Sequence, residues 1–419
     1  MAAAALVAAG TAIAADTQGA ATAGDVAVIS AVFLGSFLLL QTAIRLWAPA
    51  ATRNLLPVVA LLTAVGVVEV TRLDSDLGLL QAWWLLAGTG IAGFILFLLR
   101  RRGVEVLRRY RYLFLVGAIA LLALPLLPSG APLRGVTING SRLWVRLDLG
   151  ASSLSFQPGE AAKLLVVAFL ASYLAERRRS LIEMRRTIGP VRLPEPRQLL
   201  PILLAAGIAF AVLVYQRDLG ASLLLFGVFV TMLYAATDQA SYLLTGGLLV
   251  AGGAVIAHRL FDHVQTRVAA WIHPFDDPAG TGYQMVQSLF ALGAGGITGT
   301  GIGSGRPDLI PAAATDFVFA AVGEELGLAG TLAVLAGFAL LVGAGFGISL
   351  RARNDFRTLL GAGLTLTLAI QTILIVSGVV RLFPITGIAL PFLSYGGSAL
   401  LANLILVVLL LRISHEERS

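Results

Sequence analysis

Long apolar runs separated by short charged stretches dominate the chain. A helix needs about 20 apolar residues to span a bilayer core, and eleven runs approach this length. They predict transmembrane helices at residues 25–46, 55–71, 82–100, 112–128, 159–176, 199–216, 218–236, 241–260, 315–348, 357–380 and 395–413. The apolar residues 1–15 are shorter, and they predict either a weak further span or a signal-like segment that ends before Asp16. The pattern therefore predicts an all-α polytopic membrane protein.

Arginine residues are concentrated in every second connection between these spans. The Arg-rich connections are those after residues 25–46, 82–100, 159–176 and 315–348, together with the C-terminal tail. Because short loops rich in Lys and Arg stay in the cytoplasm, the C-terminus is predicted to be cytoplasmic. The long loops 129–158 and 261–314 are then predicted at the outer face of the membrane.

Both outer loops carry patterns of ordered structure. Residues 136–148 alternate between apolar and polar side chains around Asn139-Gly140, which is typical of a β-hairpin. The loop 261–314 contains an apolar helical stretch at residues 285–292. Long loops without structure of their own are uncommon in compact proteins, so we interpret this loop as a folded lid.

The composition supports the membrane assignment and limits the chemistry. Hydrophobic residues make up 58% of the chain and charged residues only 13%, whereas soluble domains are about 25% charged. This excludes a cytosolic enzyme, a nucleic-acid binder and a disordered chain. The sequence has no cysteine, which excludes disulfides, thiol nucleophiles and cysteine–metal sites. Its 4 histidines are scattered, so only carboxylates remain as candidate metal ligands.

Ionisable residues inside spans are costly and mark function by default. Glu160 and Lys163 lie at the start of the 159–176 span, and their i,i+3 spacing puts both side chains on one helix face. A local ion pair is the structural alternative. Lys163 is, however, the one lysine among 30 basic residues. Because lysine is a compact point charge and arginine a planar fork, its retention here favours a specific requirement.

Further acidic residues lie near the predicted outer face. Asp218 stands between two spans, where helix N-capping is the alternative to a functional role, and the same alternative applies to Asp316. Glu324 and Glu325 lie deeper, about 12–14 Å along their helix. They require a cation, a polar cavity or protonation, and close packing of the flanking Gly323 and Gly327 is the structural alternative.

The predicted lid contains two adjacent carboxylates and a glycine-rich run. Asp276 and Asp277 precede a proline, so a turn is one interpretation and a site for a divalent cation another. The glycine-rich residues 293–306 fit neither GxGxxG nor GxxxxGK[ST], so we predict no nucleotide site. Backbone amides of this run form a candidate nest for a diphosphate, to which Arg267 or Arg306 would add positive charge.

Five segments form a recognisable set: Phe156-Gln-Pro-Gly-Glu-Ala-Ala-Lys163, Gln216-Arg-Asp-Leu-Gly220, Asp277-Pro-Ala-Gly-Thr-Gly-Tyr-Gln284, Thr315-Asp-Phe317 with Gly323-Glu-Glu-Leu-Gly327, and Leu390-Pro-Phe-Leu-Ser-Tyr-Gly-Gly-Ser398 followed by Ala402-Asn-Leu404. Together they resemble the SEDS family, the RodA, FtsW and SpoVE proteins that polymerise lipid II into peptidoglycan glycan strands. The resemblance implies a SEDS-type ten-helix core at residues 55–414. Residues 1–54 would add one or two N-terminal transmembrane helices, and residues 415–419 form a cytoplasmic tail. The added N-terminal part and residues 305–311 resemble the actinobacterial RodA branch.

The chain departs from the family pattern at three places. Ala312-Ala313-Ala314 follow Pro311 where the family commonly has Glu-Ala-His, so no role for that Glu or His is carried over. Arg217 replaces the usual proline before the Asp-Leu-Gly motif, and Ala399 replaces the second serine after Gly-Gly.

The resemblance implies a peptidoglycan glycosyltransferase for cell-wall elongation and cell shape, with an essential carboxylate at the position of Asp277. A sugar hydroxyl needs a base to attack, and a diphosphate leaving group needs cations or amides, so we predict that Asp277 is the base. The predicted substrate-binding residues are Glu160, Lys163, Arg217, Asp218, Arg267, Arg306, Glu324, Ser394 and Tyr395. A divalent cation, Mg²⁺ or Mn²⁺, is implied by the family's cation dependence, with Asp276 and Asp277 as candidate ligands. The implied partners are lipid II and a class B penicillin-binding protein.

Three alternative functions are compatible with the spans. A lipid II flippase would use the same fold and the same lipid contacts. A secondary transporter is favoured by a possible twelfth span, but its polar residues would lie near the bilayer midplane, whereas those of this chain gather near the outer face. A scaffold would leave Lys163, Glu324 and Glu325 without a purpose. The sequence does not decide between elongation and division.

Overall fold

The architecture is that of a multi-pass helical membrane protein. The structure is a computed structural model, and it describes residues 2–18, 22–128, 133–138, 141–149, 152–183, 185–188, 191–194, 207, 211–214 and 216–419. Among these residues, 9 helices are long and apolar enough to cross a membrane. They correspond to nine of the predicted spans and confirm them.

The elements are numbered here along the chain. The helices are α1 (Ala2–Gln18), α2 (Ala23–Trp47), α3 (Leu55–Leu73), α4 (Ser75–Leu99), α5 (Glu105–Arg109), α6 (Arg111–Ala123), α7 (Pro158–Glu183), α8 (Leu219–Thr237), α9 (Ala240–Leu260), α10 (Asp262–Ile272), α11 (Tyr283–Gly295), α12 (Val318–Arg351), α13 (Asp355–Val379) and α14 (Gly397–Arg418). The strands are β1 (Leu133–Ile138), β2 (Ser141–Leu149), β3 (Ser152–Phe156), β4 (Arg185–Ile188) and β5 (Val191–Pro194).

Two predicted spans have a different outcome. The span at 112–128 is the shorter helix α6, which a 3-10 turn extends to Leu126. Pro125 lies in that turn, and its missing N–H cannot continue an α-helix. The span at 199–216 falls largely outside the described residues. Of the apolar residues 1–15, those from Ala2 onward lie within α1.

The predicted hairpin and lid helix are both confirmed. β1 pairs antiparallel with β2, with Val136 opposite Trp144, although the Asn139-Gly140 turn lies outside the described residues. The structure adds β3, which pairs with β2 to complete a three-stranded sheet. The predicted helix at 285–292 is α11. Not predicted was the hairpin of β4 and β5, because its arginine-rich sequence resembles that of a simple cytoplasmic loop.

The chain forms two compact units. The first contains residues 1–97, 253–344 and 371–408, and in it α3 approaches the turn at Phe392 and Leu393. A Cβ atom at Gly66 would lie 2.5 Å from the Leu393 carbonyl oxygen and 2.7 Å from that of Phe392. Glycine therefore permits the close approach of α3 to the backbone of residues 392–393.

We expect Gly66→Ala to destabilise this unit by about 1–3 kcal/mol, the usual cost of overpacking a core. Backbone atoms cannot rotate away from the added methyl group, so the loss exceeds the gain of about 1 kcal/mol in helix propensity. Thermal unfolding of the purified protein in detergent measures the effect. Gly90→Ala in α4 is the matched control, because no atom lies within 4 Å of its Cβ position. Equal melting temperatures for the two variants would contradict the expectation.

The second unit contains residues 98–252, 345–370 and 409–419. α6 packs against α7, and their contact is lined by the buried residues Ala118, Leu122 and Ala162. Away from this core, Arg357 pairs with Glu105, Glu416 and Glu417, and so joins the start of α13 to α5 and to the end of α14.

Candidate active site

Asp277 organises a tight turn before α11. Its Oδ2 accepts hydrogen bonds from the Thr281 backbone N–H at 2.8 Å and from the Thr281 hydroxyl at 3.2 Å. The Asp277 carbonyl accepts the N–H of Gly280 and that of Gly282. A Cβ at Gly280 would collide with the Asp277 carboxylate, which explains the glycine. The Asp-Pro turn weighed in the sequence is therefore present, and it presents the carboxylate on an exposed surface.

The hydrogen bonds of the turn also set the charge of Asp277. Donation from the Thr281 backbone, then from its hydroxyl, holds the pKa of Asp277 below its ordinary value. The carboxylate is consequently ionised at neutral pH and has the protonation state that a proton acceptor requires.

Asp276 and Asp277 provide few ligands for a metal ion. Within the described part of the chain, no group of three or more His, Cys, Asp or Glu side chains is arranged to hold one. Mg²⁺ is commonly bound by one or two carboxylates together with waters and substrate phosphates. The two aspartates therefore fit such an ion only as a partial site that a diphosphate completes.

Arg267 and Asp316 converge on Gly387. Arg267, in α10, donates from Nη1 to the carbonyls of Ile385 and Thr386 at 3.2 and 3.3 Å. A Cβ at Gly387 would lie 3.7 Å from Arg267 Nη2 and 3.8 Å from Asp316 Oδ2. Arg267, predicted to bind substrate, is thus used in large part to hold the 385–387 segment. Asp316 is not a helix cap, since α12 begins two residues later, at Val318.

Asp316 gives the fold a pH dependence. Burial raises the pKa of Asp316 from about 3.8 to about 6, against the opposing influence of the Arg267 charge and a Thr315 hydrogen bond. A raised pKa means that the fold favours the protonated form. The resulting stabilisation is fully present below pH 3.8 and is lost as the pH rises through about 6.

We therefore expect the melting temperature of the wild type, relative to that of Asp316→Asn, to fall by a few degrees between pH 4 and pH 7. Asparagine is neutral at every pH and removes this slope, because the charged carboxylate no longer forms. Thermal unfolding in detergent across this range measures the difference. Asp276→Asn, an exposed acid, is the control and should keep the wild-type slope. An unchanged slope in Asp316→Asn would refute the assignment.

Ser394 and Tyr395 attach the turn before α14 to the start of α12. The Ser394 hydroxyl donates to the Thr315 carbonyl at 2.5 Å and accepts the Leu390 N–H at 2.8 Å. The Tyr395 backbone N–H donates to Ala314. Gln81 of α4 donates to the Ser394 carbonyl at 3.1 Å. Through these contacts both residues help to hold the fold together. Their role in substrate binding stays a prediction.

The carboxylates of Glu324 and Glu325 are directed at the glycine-rich run. α12 is interrupted at Gly327, where φ is +65°, and residues 299–306 pass alongside. Glu324 Oε1 accepts the Arg306 N–H at 2.8 Å, and Glu325 Oε1 accepts the Gly303 N–H at 3.1 Å. The carbonyls of the same two glutamates accept the N–H groups of Thr300 and Gly301.

Four amides of the candidate diphosphate nest already have acceptors within the chain. The amides of residues 300, 301, 303 and 306 already donate to Glu324 and Glu325. Two of these hydrogen bonds go to backbone carbonyls and two to the side-chain carboxylates. Glu324, which was predicted to bind substrate, uses its Oε1 to accept the Arg306 N–H. Arg306 keeps an exposed side chain that pairs with Asp308 at 3.3 Å.

Two residues of this region were missed in the sequence. Arg72 of α3 forms a buried ion pair with Glu325 and donates from Nη2 to the Gly305 carbonyl at 2.7 Å. Glu69, one helical turn before Arg72, is also buried. Both had a usable signal, because Glu69 lies inside the predicted 55–71 span and the i,i+3 spacing repeats that of Glu160 and Lys163.

The second unit holds the remaining predicted residues. Lys163 Nζ lies 2.6 Å from Glu160 Oε2, and the two residues are 2% and 8% exposed. α7 begins at Pro158, as predicted. Asp218 caps α8, accepting the Ala221 N–H at 2.8 Å. Arg217 is exposed and has a left-handed backbone with φ of +61°. The ion pair and the cap are thus both present, while roles in substrate binding remain predictions.

The chain matches a known protein family over most of its length. Residues 44–419 match the family model for FtsW, RodA and SpoVE, which is described as cell cycle protein. The peptidoglycan glycosyltransferase RodA of Mycobacterium tuberculosis strain H37Rv is 42% identical over 94% of this chain and 84% of the relative. Stage V sporulation protein E of Bacillus subtilis strain 168 is 32% identical over 83% of this chain and 90% of that protein.

Solved structures have the same fold. A chain from a peptidoglycan synthase complex, solved in a study of how polymerisation and crosslinking are coordinated, is 27% identical and superimposes with a TM-score of 0.69. It matches 88% of this chain and 98% of its own. The rod shape determining protein RodA of Thermus thermophilus is 25% identical, with a TM-score of 0.57 over 88% of this chain and 97% of its own.

Proposed function

The chain belongs to the FtsW, RodA and SpoVE family of cell cycle proteins, and on this premise we propose that it polymerises lipid II with Asp277 as the base. It is a peptidoglycan glycosyltransferase, the activity that its relatives' names record. The observation that carries the role of Asp277 is its exposed, ionised carboxylate, held on a rigid turn before α11.

In the proposed reaction a sugar 4-hydroxyl of one lipid II attacks C1 of the sugar on another. The new bond forms between that oxygen and C1, and the bond from C1 to the diphosphate oxygen breaks. Asp277 accepts the hydroxyl proton as the attack proceeds. A lowered pKa makes Asp277 a weak base, so substrate must displace water around it before proton transfer becomes favourable.

The departing diphosphate gains charge and requires cations. Arg306 supports this role best, because its side chain is exposed and, among the residues that the structure describes, its one charged pair is with Asp308, two positions along the chain. Arg267 has much of its hydrogen-bonding capacity committed to Ile385 and Thr386. Lys163 and Arg217 remain candidates as substrate-binding residues of the second unit.

A divalent cation is a further proposal. Asp276 and Asp277 would hold it together with the diphosphate, and when bound it would neutralise charge on the leaving group. Asp277 itself still accepts the proton, and its second oxygen stays on Thr281.

We also propose the membrane setting and the partner. Arginine in alternate loops supports a bacterial cytoplasmic membrane location with the C-terminus inside, so that Asp277 faces outward. The similarity to a chain of a peptidoglycan synthase complex supports assembly with a class B penicillin-binding protein.

Polymerisation of purified lipid II in detergent is the test, with and without the partner. Detergent abolishes the two sides of a membrane, so glycan chains formed there come from a polymerase and not from a flippase. We expect long glycan strands from the wild type. Transport of lipid II in vesicles without any glycan product would favour the flippase instead.

A further inference from the structure

We propose that Arg72, Glu324 and Glu325 are positioning residues that orient Arg306 for the leaving diphosphate, an inference that rests on the proposed function. The three residues touch no substrate atom in this scheme. They act on the backbone that carries Arg306, and so on the direction in which its guanidinium points.

The peptide group before Arg306 is held from both sides. Its carbonyl, that of Gly305, accepts a hydrogen bond from Arg72 Nη2 at 2.7 Å. Its N–H, that of Arg306, donates to Glu324 Oε1 at 2.8 Å. Because a peptide group is planar, two bonds on its opposite ends fix its orientation, and with it the origin of the Arg306 side chain. We call this pair of contacts the peptide clamp.

Glu325 holds the clamp in place. It pairs with Arg72 in a buried contact and accepts the Gly303 N–H, two residues before the clamped peptide. Arg72 and Glu325 are each 1% exposed, and Glu324 is 7% exposed. Charged groups are rarely buried so deeply in a membrane protein without a functional reason, because their desolvation is costly.

Two glycines of the run allow its backbone to lie close to Glu324 and Glu325. A Cβ at Gly299 would lie 2.5 Å from the Glu325 carbonyl carbon, and one at Gly305 would lie 3.1 Å from Glu324 Cδ. The backbone therefore needs glycine to approach the two glutamates.

A purely structural role is the competing explanation, in which the cluster simply joins α3 to α12. A substitution at Glu69 distinguishes the structural explanation from the positioning role. It is 1% exposed and lies one turn from Arg72 on α3, but its Oε2 makes no hydrogen bond among the described residues. Glu69→Gln therefore alters a buried carboxylate next to the cluster and leaves both clamp bonds intact.

The decisive experiment is a double-mutant cycle on lipid II polymerisation by the full chain in detergent. Glu324→Ala removes the acceptor of the Arg306 N–H and should lower kcat about 10- to 100-fold, the cost of misplacing a reacting group. Arg306→Ala should lower it at least as much. In the double variant Glu324→Ala should cost nothing more, because its effect passes through Arg306. If the fold losses in kcat of the two single variants multiply in the double variant, the inference is wrong.

Hydrogen exchange gives a readout that is independent of activity. The amide of residue 306 should exchange at least tenfold faster in Glu324→Ala than in the wild type, since its carboxylate acceptor is gone, whereas the amide of residue 303, which donates to Glu325, should keep its protection. Glu324→Gln, whose amide oxygen still accepts, should fold and recover much of both protection and kcat. Glu69→Gln should match the wild type in both measurements. Equal losses in Glu69→Gln and Glu324→Ala would favour the purely structural role.

The outcomes distinguish this inference from the proposed function. A wild type that makes no glycan refutes the function itself. An active wild type with an equally active Arg306→Ala refutes the role of Arg306, and the inference with it. An active wild type, an impaired Arg306→Ala and additive losses refute the inference alone.

Discussion

Asp277→Asn is expected to lower lipid II polymerisation by about 10²- to 10⁴-fold, the usual contribution of a general base. The amide cannot accept the hydroxyl proton. Its oxygen can still accept hydrogen bonds from Thr281, which the carboxylate receives at 2.8 and 3.2 Å, so the turn should survive. Polymerisation of purified lipid II, with thermal unfolding as the test of folding, measures both.

Two control variants distinguish the loss of the base from a disturbance of the turn that holds Asp277. Thr281→Val removes the hydroxyl donor but keeps the N–H donor and the carboxylate, and we expect a modest loss of rate only. Asp276→Asn changes the neighbouring exposed acid and should lower activity strongly only if that carboxylate binds an essential cation. Near-wild-type glycan synthesis by a folded Asp277→Asn protein would exclude Asp277 as the base.

The second large effect is expected at Lys163. Lys163→Arg keeps the charge, yet we expect at least a tenfold loss of polymerisation. The ammonium is only 2% exposed and sits 2.6 Å from Glu160. A guanidinium is larger, planar and differently hydrogen-bonded, so it cannot reproduce the compact contact that the Lys163 ammonium makes with Glu160. Wild-type activity in Lys163→Arg would show that the compact ammonium is not required.

Paired substitutions distinguish a substrate role of Lys163 from a structural one. Removing one partner of a buried ion pair typically costs about 3–5 kcal/mol, whereas replacing both with apolar groups is often neutral. We therefore expect Glu160→Gln to unfold at lower temperature than Glu160→Leu/Lys163→Met. If the ammonium also binds substrate, the folded double variant should remain inactive. Recovery of polymerisation together with stability would assign the pair to the fold alone.

Relationships that are local in the chain were predictable. The spans follow from runs of apolar residues, because the transfer of each residue into a bilayer depends on its own side chain. The Glu160–Lys163 pair follows from a helical repeat, and the Asp218 cap from a polar residue before an apolar run. The hairpin of β1 and β2 follows from alternation. In each case the partners are neighbours in sequence.

The structure differs from the predicted site in the contacts of the glycine-rich run. The glycine-rich run was expected to offer amides to a diphosphate, but Glu324 and Glu325 occupy four of them. Composition indicates that a loop can bind an anion, and it cannot say which anion is nearest. For the same reason Arg267 was counted as a free cation, although the carbonyls of residues 385 and 386 receive its hydrogen bonds.

The sequence by itself thus determined the membrane class, nine of the spans and the family to which the chain belongs, and it raised the local ion pair and the cap as alternatives. The tertiary structure alone decided that Arg72 meets Gly305, 233 positions away, and that Glu325 pairs with Arg72. The physical reason is that each residue of a hydrophobic run contributes its own free energy of transfer from water to lipid, whatever the rest of the chain does. A buried charge is compatible with many partners, and only the packing of α3 against α12 selects one.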